Sequence, residues 1–446
     1  MNELPFAWTT AHLNEIAHVE MGQSPDSRFY NDQGDGLPFF QGKAEFGALY
    51  PTARKWCSQP TKIAELGDIL LSVRAPVGPT NIANEKCCIG RGLSAIHATA
   101  PISQKYLLHF FRHVEPWLAQ QGTGTTFTAV SGGFLRELDV PLAPLNEQRR
   151  IADKLDAVLA RVDVCRDRLD RIPNILKRFR QSVVSAATDG LLTSDWRIRS
   201  YGSADRSVTT TTLVEQCLQG RVITYGVIKL GDETPHGVPC LRTSNVRWLQ
   251  VDTEGMKKIA LALSNEYSRT ILKGGEVLVN VRGTLGGVAV ATSAMIGWNV
   301  SREVAVVPVD QSKVNPQFLA LWVGAERSQR WLRGVEKGVA YTGINIEDLR
   351  TLPLEFPSLE EQAEIVRRVE ALFAYADSLE ARYTAARAQV EKLTPATLAK
   401  AFRGELVPQD PNDEPASKLL ERIRAISTPE SSKPRGRKLK AKELVS

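Results

Sequence analysis

Several features that define common protein classes are missing from this chain of 446 residues. No run approaches the ~18 consecutive apolar residues that a membrane-spanning helix needs. The N-terminal residues, MNELPFAWTT, lack the basic start and apolar core of a secretory signal. The six cysteines form no Cys-x-x-Cys pair, which argues against a disulfide framework. We therefore expect a protein of a reducing cytoplasm that does not enter a membrane.

Catalytic motifs are missing too. The run Gly36–Ala44 has five residues between its glycines and ends on alanine, so it does not match a phosphate-binding loop. His109 and His113 lack the glutamate of a zinc-protease motif, and Gly122 and Gly124 form a lone pair typical of a turn. There is no nucleophile elbow and no Asn-Pro-Pro-aromatic run. These absences favour a binding protein, with a self-contained modification enzyme as a remote alternative.

The composition is that of a globular chain with two to four domains. Hydrophobic residues make up 43% of it and charged residues 24%, with 56 Lys and Arg against 50 Asp and Glu. Residues 1–145 hold 11 basic and 13 acidic side chains, a net charge of −2, so bulk charge does not announce a nucleic-acid partner. A solvated surface of mixed charge explains this equally well, and any DNA contact must come from local patches.

The chain contains the same plan twice. Gly67–Arg74 aligns with Gly275–Arg282 at an offset of 208, and Asn146–Ile151 aligns with Glu360–Ile365 at an offset of 214. The first alignment contains a strand-like run in each copy, Asp68–Val73 and Glu276–Val281. Repeats of a solenoid are far shorter. The sequence therefore predicts a duplicated unit of roughly 210 residues.

A long helical pattern closes each copy. The apolar seam of the first consists of Leu155, Leu159, Val162, Cys165, Leu169, Ile172, Leu176, Phe179 and Val183. The seam of the second consists of Ile365, Val369, Leu372, Ala376, Leu379, Tyr383, Ala386, Val390 and Leu393. This heptad spacing, broken by one three-residue step before Cys165, predicts a coiled coil. We expect Pro173 to kink the first helix and Gly190 and Gly404 to end the two helices. Two amphipathic helices, each packed on its own domain, remain the alternative.

These patterns predict an α+β fold with two repeated α/β domains separated by two long coiled-coil helices. Proline-rich segments, Pro141–Leu145 and Pro353–Pro357, provide stiff entries to the helices. The expected segments are a first globular domain (1–145), a long helix (146–194), a second globular domain (195–356), a second long helix (357–410) and a basic, disordered tail (411–446). The last of these carries Lys433, Arg435, Arg437, Lys438, Lys440 and Lys442 with no intervening acid.

Polar, fork-shaped donors near glycine-rich turns are the side chains that can read base edges. Arginine pairs bidentately with guanine, and asparagine or glutamine with adenine. The candidates are Gln41, Lys43, Arg74, Arg91, Arg242, Thr243, Asn245, Arg247, Asn280, Arg282 and Arg302. Arg74 and Arg282 occupy the same place in the two copies, which favours a phosphate or scaffold role for both. A surface ion pair is the alternative for each candidate.

The helical blocks carry a family resemblance. Leu145–Asp156, Ile172–Gln181, Glu361–Asp377 and Leu398–Leu406 resemble the DNA-specificity subunit of type I restriction–modification systems, in particular the enteric group called type IA. The resemblance covers nearly the whole chain.

This resemblance implies a sequence-specific DNA-binding subunit without catalytic residues. The globular segments 1–145 and 195–356 would be target-recognition domains, each reading one half of a split site in double-stranded DNA. The two long helices would pair as an antiparallel spacer that sets the gap between the half-sites. Because the recognition segments of the two copies differ, the target is expected to be asymmetric. Two methyltransferase subunits would methylate adenine with S-adenosylmethionine, and restriction subunits would use ATP and Mg²⁺, all in a bacterial or archaeal cytoplasm. The alternative is a coiled-coil scaffold for proteins that has no DNA specificity.

Overall fold

The computed structural model describes residues 4–121, 129–335 and 343–427. The chain forms two compact units, of which the first combines residues 1–169 with 386–446 and the second consists of residues 170–385. Each unit thus takes part of both long helices. No helix of the described ranges is long and apolar enough to cross a membrane.

The N-terminal half contains eleven strands and four helices within its described residues. In chain order these are β1 (Thr9–His12), α1 (Leu13–Ile16), β2 (Ala17–Met21), β3 (Tyr30–Asn31), β4 (Leu37–Phe40), β5 (Trp56–Cys57), β6 (Ile63–Ala64), β7 (Ile69–Ser72), β8 (Thr80–Ile82), β9 (Cys87–Ile89), β10 (Leu93–Ala98), α2 (Gln104–Gln121), α3 (Gly132–Arg136), β11 (Asp139–Leu142) and α4 (Leu145–Thr188).

The remainder repeats this order with small changes. It contains α5 (Ser194–Tyr201), β12 (Thr209–Thr212), β13 (Thr224–Tyr225), β14 (Val238–Leu241), β15 (Val246–Arg247), β16 (Gln250–Val251), β17 (Lys257–Ile259), α6 (Leu261–Glu266), β18 (Val277–Asn280), β19 (Val288–Val290), β20 (Asn299–Val300), β21 (Val304–Val307), α7 (Pro316–Gly324), α8 (Glu326–Gly334), α9 (Ile346–Arg350), β22 (Pro353–Phe356), α10 (Leu359–Phe402) and α11 (Ala416–Ser427).

Both units contain the same four-stranded antiparallel sheet. Its strand order is β2-β10-β7-β8 in the first unit and β13-β21-β18-β19 in the second. The central strands β7 and β18 confirm the two strand-like runs, and every residue in them is buried. Burial on both faces explains why these runs are apolar without alternation.

A second sheet in each unit contains one parallel pair. In the first unit β4 runs parallel to β9, with Phe40 opposite Ile89. In the second unit β14 runs parallel to β20, with Leu241 opposite Val300. The duplication inferred from the sequence is therefore also a duplication of sheet topology.

Each long helix begins with a buried Glu-Gln pair. The Nε2 of Gln148 donates to the Ala143 carbonyl at 2.8 Å, and its Oε1 accepts from the Ser103 amide at 3.1 Å. Gln362 makes the same two contacts in the second unit, with the Pro357 carbonyl and the Asn315 amide, both at 2.9 Å. The glutamine thus ties the helix start to the proline-rich entry before it and to the N-terminus of α2 or α7.

The neighbouring glutamates are equally buried but have different partners. Glu147 accepts hydrogen bonds from Trp8 Nε1 at 3.0 Å and from Gln409 Nε2 at 2.6 Å. Burial raises the pKa of the Glu147 carboxyl, and these two donors oppose the shift. A carboxylate without such donors would be costly to bury. Glu147 therefore binds residues from both ends of the chain to the start of α4.

Glu361 is instead held by an ion pair. It accepts from Arg197 Nη1 at 2.5 Å and from Thr193 Oγ1 at 2.7 Å. Arg197 also donates to the Gly190 carbonyl at 2.8 Å, and both charged side chains are almost fully buried. The segment that follows α4 is thereby fixed to the start of α10.

The two predicted helix stops are confirmed. Gly190 follows α4 with φ 73°, and Gly404 follows α10 with φ 74°, a backbone region that disfavours other residues. At Gly404 a side chain would also collide with Pro5, since a Cβ would lie 2.3 Å from its Cγ. These turns lead the chain back to cover the N-terminus of the other long helix.

The predicted antiparallel pairing of α4 and α10 is confirmed within each unit. In the second unit Arg180, near the end of α4, donates to Asp377 at 2.6 Å and to Glu380 at 2.7 Å. In the first unit Leu155, near the start of α4, shares the core with Phe402 at the end of α10. Early residues of one helix therefore accompany late residues of the other.

Two seam positions were predicted wrongly. Cys165 is exposed, and Leu393 is 45% exposed. The three-residue step before Cys165 rotates that side chain away from the buried face. Near the end of α10 the buried face passes through Leu398, so Leu393 lies to its side. The helix α4 continues through Pro173.

The expectation of a disordered tail from residue 411 onward is also wrong in part. The helix α11 occupies Ala416–Ser427, and Leu419, Leu420 and Ile423 are buried in the core of the first unit. Arg150 on α4 donates to Asp413 at 2.6 Å, which fixes the segment before α11. The basic run of residues 433–442 lies outside the described residues, as does the glycine pair at 122 and 124.

The Arg197–Glu361 pair yields a stability prediction. Arg197→Ala leaves the Glu361 carboxylate buried without its cation, so we expect a loss of about 3–5 kcal/mol in the free energy of unfolding. Chemical denaturation monitored by circular dichroism measures it. The control, Arg199→Ala, removes an exposed ion pair with Asp195 and should change stability by no more than about 1 kcal/mol. Equal effects of the two variants would contradict the argument.

Candidate nucleic-acid interface

Three strand ends meet at one place in the first unit. Gln41 directly follows β4, Arg91 lies two residues after β9, and Arg74 lies two residues after β7. The β4 and β9 ends are adjacent because the strands pair in parallel. The Val73 amide donates to the Gly92 carbonyl at 2.9 Å, which brings the β7 end to the same point.

The four candidates of this unit line a single pocket. Gln41, Lys43, Arg74 and Arg91 surround a cavity of roughly 200 Å³. All four side chains are exposed, and within the described residues none of them makes a side-chain hydrogen bond or an ion pair. Three cations without an ion pair beside one amide form a local positive patch within residues 1–145, whose net charge is −2. Such a patch suits phosphate and base-edge contacts.

Two residues outside the predicted set, Ser72 and Glu45, stabilise the loops that form this pocket. The buried Ser72 hydroxyl donates to the carbonyl oxygens of Arg74 at 3.1 Å and Pro76 at 2.8 Å. The Glu45 carboxylate accepts from the amides of Gln41 at 3.3 Å and Gly42 at 3.1 Å. Ser72 aligns with Asn280 in the repeat. Two polar residues at the same position of two apolar strands are the sequence signal that points to a role for Ser72.

An acidic side chain moderates the patch from α2. Burial raises the pKa of the Glu115 carboxyl, while the positive charges of Lys43 and Arg112 oppose that shift. The proximity of Glu115 gives Lys43 a weak intramolecular competitor for a phosphate.

The same strand ends carry arginines in the second unit. Arg242 follows β14, Arg282 follows β18 and Arg302 follows β20. Arg282 and Arg302 are exposed and make no ion pair among the described residues. The guanidinium of Arg282 lies 5.5 Å from the ring centre of Tyr225, which orients it by a cation–π contact. Arg242 is half-buried and donates to the Gly255 carbonyl at 3.0 Å.

Two of the predicted base readers have structural roles instead. Asn245 is 1% exposed, and its amide donates to the Asp252 carbonyl at 3.0 Å. Asn280 is 2% exposed, and its amide donates to the carbonyls of Val246 at 3.0 Å and Thr284 at 3.1 Å. A side chain enclosed in this way cannot reach a base. The structure therefore corrects the interpretation of both asparagines.

The remaining two candidates of this unit have weak partners on the chain. The Thr243 hydroxyl donates to Glu303 Oε2 at 3.4 Å, a long hydrogen bond. Arg247 lies 3.7 Å from Asp252 in an exposed ion pair. Arg282 and Arg302 are thus the candidates of the second unit with the fewest competing contacts.

The histidines of α2 have structural contacts. The Nε2 of His109 is 2.8 Å from Asp156 Oδ1, and the ring of His113 stacks on Phe402. Burial lowers the pKa of both rings. Within the three described ranges no group of three or more His, Cys, Asp or Glu side chains could hold a metal ion.

Gln41, Lys43, Arg74 and Arg91 form the strand-end cluster of the first unit, and Arg242, Arg282 and Arg302 form that of the second. Together with the fold, these two clusters define a class: a duplicated α/β binding protein with two long paired helices. Within that class, the chain belongs to the type I restriction–modification DNA specificity family, whose domain model matches residues 5–174 and 234–386. The resemblance stated from the sequence is thereby confirmed. Membership implies that the protein recognises a DNA target within such a complex.

Relatives match the chain along most of its length. It is 31% identical to the EcoBI specificity subunit of Escherichia coli, over 97% of this chain and 95% of that one. It is 30% identical to the EcoKI specificity subunit of E. coli strain K12, over 79% and 78% of the two chains. The crystal structure of the HsdS subunit from Thermoanaerobacter tengcongensis is 47% identical over 36% of this chain and 40% of that chain, with a TM-score of 0.34.

Binding and folding roles in the second unit can be separated by mutation. Arg302→Ala removes an exposed cation that makes no ion pair among the described residues, so we expect unchanged stability, weaker binding to duplex DNA and a salt dependence reduced by about one ion. Asn280→Ala removes a buried side-chain amide whose two hydrogens are shared among three backbone carbonyls, and it should cost about 1–3 kcal/mol of stability. Thermal unfolding and DNA titrations of the assembled complex at several salt concentrations measure both. A stability loss in Arg302→Ala with unaltered DNA binding would reverse the assignment.

Proposed function

We propose that this chain reads a split, asymmetric target in double-stranded DNA, with one half-site contacted by each strand-end cluster. The observation that carries this proposal is the pocket lined by Gln41, Lys43, Arg74 and Arg91, whose three cations make no ion pair among the described residues. Arg282 and Arg302 stand at equivalent strand ends in the second unit. Phosphate contacts position a protein on DNA, and base contacts specify the sequence.

The expected asymmetry has a basis in the residues at equivalent positions. Arg74 and Arg282 are the same residue at the same strand end, and so are Arg91 and Arg302. In contrast, Gln41 corresponds to Arg242 after the parallel pair. Glutamine and arginine prefer different bases, adenine and guanine respectively. The shared arginines suit the phosphate backbone, and the positions that differ suit the bases.

The domain organisation proposed from the sequence assigns recognition to residues 1–145 and 195–356 and spacing to residues 146–194 and 357–410. The helices α4 and α10 lie within the two spacing segments, apart from Leu145. Because each helix has residues in both compact units, its length is suited to set the gap between half-sites.

The proposed partners supply the chemistry. Two methyltransferase subunits would flip and methylate adenine with S-adenosylmethionine, and restriction subunits would use ATP and Mg²⁺. This chain would contribute target choice and no catalytic step, in the cytoplasm of a bacterium or archaeon. The net charge of −2 on residues 1–145 suggests that tight DNA binding requires the methyltransferase subunits.

The principal test is genome-wide detection of methylated adenine by single-molecule sequencing. A host expressing this chain with its neighbouring methyltransferase should carry methylation at one split motif with unequal halves. Deletion of this chain should abolish that motif, because the methyltransferase alone cannot select a target. Unchanged methylation after deletion would favour the alternative of a protein scaffold.

Matched insertions test the spacing role of the helices. One heptad inserted after Leu169 in α4 together with one after Ala385 in α10 lengthens the pair by about 10 Å. The spacer of the methylated motif should grow by about three base pairs, since the rise is about 3.4 Å per base pair. The control places a heptad in the exposed turn at Gly231, which should leave the spacer unchanged. An unaltered spacer after the matched insertion would contradict the ruler.

A further inference from the structure

The two units differ at one position beside the candidate interface. The Val73 amide donates to the Gly92 carbonyl, and the Val281 amide donates to the Glu303 carbonyl, both at 2.9 Å. Gly92 and Glu303 therefore hold the same place next to the equivalent strands β7 and β18. The first unit has no side chain there, and the second has a carboxylate.

The local backbone explains why each residue fits only its own unit. A Cβ on Gly92 would lie 2.0 Å from the Gln41 carbonyl oxygen, so no side chain is possible. In the second unit the loop after β14 forms a tight turn, in which the Asn245 backbone amide donates to the Arg242 carbonyl at 2.9 Å. Glu303 is half-buried in that setting.

The Glu303 carboxylate has unused capacity to accept hydrogen bonds. Its one side-chain contact is the 3.4 Å hydrogen bond from Thr243, and it makes no ion pair among the described residues. An ionised carboxylate offers about four acceptor positions. Arg302 is its neighbour in sequence, and the Arg282 amide donates to the Glu303 carbonyl at 3.3 Å. The Glu303 backbone is thus adjacent to two arginines, Arg282 and Arg302, that the proposed function assigns to DNA.

We propose that the Glu303 carboxylate reads the exocyclic N4 amino group of a cytosine in the second half-site. A carboxylate close to DNA is repelled by phosphate, and hydrogen bonds accepted from a base amino group offset part of that cost. In the major groove Asp and Glu accept from cytosine N4, whereas Asn and Gln suit adenine. Arg282 and Arg302 offset the repulsion from the flanking phosphates. This inference rests on the proposed function, that the second unit contacts DNA.

The experiment uses Glu303→Gln in the complete complex with its methyltransferase subunits, and the methylated motif is determined by single-molecule sequencing. The preference for cytosine at one position of the second half-site should fall roughly 10- to 100-fold, because one base contact is altered. The first half-site and the spacer should stay as in the wild type. The matched control is Glu266→Gln, which neutralises an exposed acid at the end of α6 and should leave the whole motif unchanged.

The outcomes separate this assignment from the proposed function. A split motif that Glu303→Gln leaves unaltered overturns the role of Glu303 alone. Loss of all methylation by an assembled Glu303→Gln complex also overturns it, since one lost base contact relaxes one position. A wild-type complex without a split motif overturns the proposed function and this role together. If Glu303→Gln does not assemble, Glu303→Asp retains the charge, and a weakened preference at the same single position is the supporting result.

Discussion

The buried glutamate and glutamine at the start of each long helix are the constraint on which the architecture depends. The glutamine fixes the helix to the last strand of its unit and to the N-terminus of a core helix, through the contacts of Gln148 and Gln362. The glutamate then binds the segment that leaves the opposite helix. A buried polar group without a hydrogen-bond partner is costly, so these contacts favour one arrangement of the chain at each helix start.

This constraint explains how each compact unit joins segments from both copies of the repeated plan. The segment after α4 reaches Glu361, and the segment after α10 reaches Glu147. Gly190 and Gly404 make both returns possible, since each turns the chain at positive φ. The two copies use different chemistry for the same purpose: an ion pair with Arg197 in one unit, and neutral donors from Trp8 and Gln409 in the other.

Small polar residues also stabilise the candidate interface. Ser72 and Asn280 occupy the end of equivalent strands, and each bonds to the turn that follows, Ser72 to the Arg74 carbonyl and Asn280 to the Thr284 carbonyl. That turn presents Arg74 or Arg282 to solvent. Asn280 is thus close to the candidate interface and stabilises it, although its side-chain amide donates to backbone carbonyls.

The sequence by itself determined the duplication, the strand-like runs, the long paired helices and their glycine stops, because each has a local signal in periodicity or backbone preference. It also named Gln41, Lys43, Arg74 and Arg91, four of the residues that line the pocket of the first unit. Tertiary structure alone decided which polar residues are enclosed, as at Asn245 and Asn280, since burial depends on segments distant in sequence. Tertiary structure also left Cys165 and Leu393 exposed, because the helix surface rotates away from the buried face at these positions. It placed α11 in the core, where local charge indicated a solvated tail. Local sequence does not single out Glu303, because Gly92 and Glu303 share a backbone position in the two units and no sequence pattern.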